Sequence, residues 1–95
     1  MILTLEETKE FLKVDYEEED NSIQDLINAS EQYLKNAVGR EFDSNNYLAK
    51  LYCKVLVSDW YDNREYMENN KMSNKVRYTI QSILTQLKYG ADENA

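Results

Sequence analysis

The chain alternates between amphipathic runs and polar connections, and the runs have a helical period. Leu5, Thr8, Phe11 and Leu12 trace one stripe, which predicts a first helix over about Leu5 to Lys13. Thr4, with Glu7 three residues on, forms a capping-box pattern at its start. A polar connection from Val14 to Asp20 follows. Ile23, Leu26, Ile27, Leu34, Ala37 and Val38, with Ser30 between them, predict a second helix that begins between Asp15 and Asn21 and stops at Gly39. The third helix is expected from a cap at Ser44 or Asn45 to about Tyr66. Its main stripe is Leu48, Leu51, Tyr52, Val55, Leu56 and Trp60, widened by Cys53 and Val57. A helix apolar over so much of its circumference is expected to be central. Glu68 to Lys71 reads as a loop and Ser73 or Asn74 as the next cap. Val76, Ile80, Ile83, Leu84 and Leu87 then mark a fourth helix closed by Gly90.

The expected fold is all-α: a compact bundle of about four helices, with a short N-terminal helix and a central third one. Residues 1–90 form one domain and 91–95 a polar tail. The absence of Pro and the presence of only 2 Gly argue against a turn-rich β fold. With 42% hydrophobic residues the chain carries enough apolar side chains for a core.

Charge narrows the function. The net charge is −7, a poor basis for gripping a phosphate backbone. It is also uneven. Residues 1–45 hold 12 acidic and 4 basic residues, a balance of −8, and residues 46–95 hold 6 and 7, a balance of +1. Such a division suits head-to-tail attraction between subunits, and equally a solvated acidic face. The N-terminus lacks the pattern of a signal peptide, and no apolar run approaches the roughly 18 residues of a membrane span. The expected setting is therefore intracellular.

Catalytic chemistry has little to work with. With 0 His and 1 Cys, neither a Ser-His-Asp arrangement nor a Cys/His zinc site can be built. Two distant glycines exclude the phosphate-binding loops. Asp15, Glu17 and Glu19 superficially resemble a calcium loop, but Asp20 stands where that loop needs Gly and Leu26 where it needs Glu. No enzyme activity, cofactor or metal is expected. Cys53, inside an apolar run, reads as a small buried hydrophobe.

The aromatic residues carry the remaining signal. The 8 tyrosines suit boundaries with one apolar and one wet side. Trp60-Tyr61-Asp62-Asn63-Arg64 places the single Trp beside a Tyr, with an Arg four residues on. Trp60, on the apolar stripe, is the candidate core anchor. Tyr61, Arg64, Tyr66 and Lys88 are candidate interface or bracing residues, and Arg64 is spaced to stack on Trp60.

Taken in order, these segments resemble the phage head–tail connector family, also called head-completion or adaptor proteins. Its members occur in tailed phages and in prophages under a DNA-packaging label. The resemblance lies in Leu3 to Asp15, in Ile23 to Leu34 with Val38-Gly39-Arg40, in Trp60 to Glu65 against a W-Y-x-N-R signature, and in Ile83 to Lys88. It covers about residues 2 to 89. Met72-Ser73-Asn74 stands where the family often has a Pro, and Lys88 where it often has an Arg. The resemblance implies a virion structural protein that forms a homo-oligomeric ring. Such rings are dodecameric in the virion, and their isolated subunits can be monomers. The implied partners are the portal protein above and the next connector or tail protein below. DNA passes through the channel without specific binding, and no membrane is involved. Assembly in the host cytoplasm and residence at the head–tail junction are implied too. The alternative reading is a small acidic prophage-encoded regulator, an inhibitor or DNA mimic.

Overall fold

The computed structural model describes residues 2–62 and 74–93, with side chains up to 89. All the regular structure in these residues is helical: α1 (Leu5–Leu12), α2 (Asp20–Val38), α3 (Tyr47–Asp62) and α4 (Asn74–Glu93). The all-α bundle expected from the periodicity is the fold observed.

Each helix boundary has a local cause. Thr4 caps α1: its Oγ1 accepts from the Glu7 N–H at 3.1 Å while Glu7 Oε1 accepts from the Thr4 N–H at 2.9 Å. Two otherwise orphaned donors are thereby satisfied. The helix stops because Lys13 turns left-handed at φ 62°, one residue short of the expected end. Gly39, at φ 84°, ends α2 where expected. A side chain there is disfavoured by that φ alone and not by crowding, because no atom lies within 4 Å of the position its Cβ would take.

At the start of α3, the cap is Asn46 rather than Ser44 or Asn45. Its Oδ1 accepts from the Ala49 N–H at 3.0 Å, and Asp43 uses its own side chain to fold the preceding turn through Asn45 N–H. The expected continuation to Tyr66, the loop at Glu68 to Lys71 and the Ser73 cap lie outside the described residues. The fourth helix begins at Asn74, within the expected start, but runs through Gly90 to Glu93. Gly ends a helix only where the chain turns left-handed, and a helical φ is equally open to it.

The core joins all four helices and an extended N-terminal segment. Leu3, Ile23, Ile27, Leu34, Leu56 and Val57 are its largest fully buried aliphatic side chains, and Ile80, Ile83 and Leu87 add the α4 face. The third helix is central, but it shares that place with α2. Each of the two packs against the other and against both α1 and α4. Its buried face is Ala49, Tyr52, Cys53, Leu56 and Val57. That face is rotated from the expected stripe, so Leu51 is left 42% exposed. Phe11 and Ala37, also expected inside, face out. Phe11 instead lies under the Lys54 ammonium, 5.7 Å from its ring centroid.

Among the described residues two polar side chains are fully buried, Thr8 and Ser30, and both are locally satisfied. Their hydroxyls donate to the Thr4 carbonyl at 2.8 Å and the Ile27 carbonyl at 2.7 Å. Burial pushes the Cys53 thiol up to about 11, so it stays a neutral, unreactive packing group. Among the described residues no helix is long and apolar enough to cross a membrane.

Candidate functional site

Trp60 and Tyr61 are neighbours in the chain, yet they hold α2 at two distant points. The Trp60 ring meets Tyr33 edge to face, with centroids 5.4 Å apart and planes at 75°. Such pairs contribute about 0.5–1.5 kcal/mol beyond their burial. The Tyr61 hydroxyl donates to Glu19 Oε2, and the Tyr16 hydroxyl reaches the same oxygen at 3.0 Å. The two phenol oxygens are themselves 3.2 Å apart. Tyr33 and Glu19 are fourteen positions apart, roughly 21 Å along a helix. The end of α3 is thus fastened to both the start and the middle of α2.

Of the residues singled out in the sequence, Trp60 is partly buried and packs against the core. Tyr61 is partly buried too, and its hydroxyl reaches the Tyr16–Glu19 connection. Hydrogen bonding to the Glu19 carboxylate, then to Tyr16, raises the Tyr61 pKa. Arg64 and Tyr66, and with them a Trp60–Arg64 stack, lie outside the described residues. Lys88 is exposed on α4.

The surface divides by charge. Glu6, Glu10, Asp15, Glu17 and Glu18 are exposed on α1 and the connection after it. Lys9 is held within this region by Asp20, with Nζ 2.6 Å from Oδ1. Lys50 is held by Glu7 at 3.0 Å, which fixes α1 on α3. On α4, by contrast, Lys75, Arg77 and Lys88 are exposed and make no ion pair with any described carboxylate.

Between α2 and α4 runs a groove of about 510 Å³. Tyr33, Ala37, Tyr52, Ile80 and Leu84 supply its apolar lining, and Asn36, Gln81 and Arg77 its polar lining. Burial pushes the Tyr52 phenol up to about 12, so it remains neutral. The groove was not visible in the sequence. Its one signal was the number of tyrosines, of which Tyr16, Tyr33, Tyr47, Tyr78 and Tyr89 are indeed exposed. Uncovered aromatics beside unpaired cations have the composition of a protein contact. No three His, Cys, Asp or Glu side chains among the described residues are placed to hold a metal.

No curated protein and no solved structure matched the chain. One family model did, over residues 2–88. That span takes in α1, α2 and α3, α4 as far as Lys88, the Tyr16–Glu19–Tyr61 cluster and the groove. The chain belongs to the phage gp6-like head-tail connector protein family.

Proposed function

We propose that this chain is a structural subunit of a ring beneath the portal of a tailed phage. The ring extends the DNA channel and docks the next connector or tail protein. The observation that carries this reading is the family match over residues 2–88. The surface supports it. A ring requires two different patches on each subunit, because a head-to-tail contact joins unlike faces. The acidic region around α1 and the cationic α4 with its groove are two such patches. An acidic channel wall makes few phosphate contacts and lets DNA slide. In this role the ionisable residues serve docking and solvation, and the subunit performs no catalysis.

An in-frame deletion of the gene in an inducible prophage tests the role. The expected lysate contains DNA-filled heads and separate, unjoined tails, and a plasmid copy restores plaques. Normal virions from the deletion strain would contradict it.

A further inference from the structure

The groove between α2 and α4 is lined mainly by apolar and aromatic side chains, with Asn36 and Gln81 as neutral polar members and Arg77 as its one charged residue. Tyr33, on its wall, is 55% exposed. From Asn74 to Tyr89 the only charged residues are Lys75, Arg77 and Lys88, all cationic. The groove therefore suits a ligand with an aromatic body and negative charge.

The same chain displays such a segment elsewhere. Asp15, Tyr16, Glu17 and Glu18 are all exposed, Tyr16 to 45%. The Tyr16 ring is held in place through its hydroxyl, bonded to Glu19 and Tyr61. Asp15, Glu17 and Glu18 make no ion pair with a described cation. A tethered aromatic flanked by open carboxylates is pre-organised for docking, because little side-chain freedom remains to be lost.

We propose that the α2–α4 groove of one subunit receives the Asp15–Glu18 segment of a second copy, with the Tyr16 ring against Tyr33 and Arg77 facing the carboxylates. This rests on the connector reading and deepens it by naming both faces of the contact between subunits. The two patches lie on different elements, so the contact is heterologous and propagates head to tail until rotation closes a ring. Opposite charges orient the approach and fix which face meets which.

Charge exchange tests the pairing. Three variants are compared with the wild type: Arg77→Glu, Glu17→Lys with Glu18→Lys, and all three changes together. The altered side chains are exposed, so thermal melts report intact folds. Subunit association is read by sedimentation at low salt and by counting subunits on the portal of the same phage. Each single-face variant is expected to weaken association about tenfold or more. The triple variant is expected to recover, because every contact in a head-to-tail array then carries the reversed pair. If the wild type assembles and Arg77→Glu assembles equally well, the connector reading stands and the groove assignment falls. Lack of recovery in the triple variant also overturns it, and would give the groove to the portal or another protein. A wild type that assembles neither alone nor on the portal defeats the connector reading, and this contact with it.

Discussion

Tyr61 and Glu19, 42 residues apart in the chain, are joined by a hydrogen bond from the phenol to the carboxylate. This contact closes the bundle at one end: it ties the last described turn of α3 to the residue that precedes α2. Tyr61→Phe removes the donor and keeps the ring. The group is partly exposed, so the expected loss is about 1 kcal/mol, below the usual figure for a bond to a charged acceptor. For a domain of this size that lowers Tm by about 4–8 °C. A calorimetric scan with unchanged Tm would show that the bond contributes nothing to the fold.

The same pair shapes the alkaline titration. Tyr61 is raised by its bond to the Glu19 carboxylate and then to Tyr16, and Tyr52 is raised to about 12 by burial. Both lie above the ordinary tyrosine value of 10.0. Their contribution to stability is therefore full below pH 10 and is lost as pH rises through the folded values. Followed by tyrosinate absorbance, these two residues titrate above the ordinary tyrosine range. Tyr61→Phe and Tyr52→Phe each remove one late-titrating group. Ionisation of Tyr61 and Tyr52 near pH 10, in the folded protein, would contradict the assignment.

Glu7 joins two structural tasks. One carboxylate oxygen caps the Thr4 N–H and the other holds Lys50. The backbone hydrogen bond at Thr4, then the Lys50 contact, holds its pKa below the usual value of 4.5. A depressed carboxylate stabilises the fold above its unfolded pKa, and the contribution disappears as pH falls through the folded value. Glu7→Gln is expected to cost about 1 kcal/mol at pH 7, the size of a lost charged cap and a partly exposed ion pair. The difference from the wild type should shrink below pH 4. Urea unfolding at pH 7 and pH 3 measures both, and an equal gap at the two pH values would refute the mechanism.

Leu3 is fully buried although it precedes the first helix. Its N–H and that of Ile2 both donate to Glu31 Oε2, at 3.2 and 3.0 Å. Leu3→Ala is therefore expected to cost about 3 kcal/mol, a core-cavity value rather than that of a frayed end. Chemical denaturation gives the number, and a loss under about 0.5 kcal/mol, the surface-substitution range, would return the segment to the surface.

The sequence made the helices legible because the apolar spacing of α2 and α4 is clean. Ile23, Ile27 and Leu34, and Ile80, Ile83 and Leu87, are buried as that spacing requires. It was less informative for α3. There apolar residues cover most of the circumference, so periodicity alone did not fix which face is innermost, and the choice fell on Leu51 rather than Ala49. The site was harder to read. The groove depends on how α2 lies against α4, a tertiary relation that no local spacing encodes. Ala37 counted as a core residue in the sequence because its methyl group fits the α2 stripe, yet it lines the groove instead. Tyr61 stands out in the sequence as a candidate interface or bracing residue. Its partner, the connection after α1, could not be read from a stretch whose only local feature is acidity.

The proposed assembly of this chain is a ring under a portal. Electron microscopy of the portal of the same phage, alone and mixed with this protein, tests it most directly. The account predicts an added ring of density on one face of the portal, with the rotational symmetry of its contacts. Portal particles that look identical with and without the protein, at concentrations where it is folded and in excess, would contradict it.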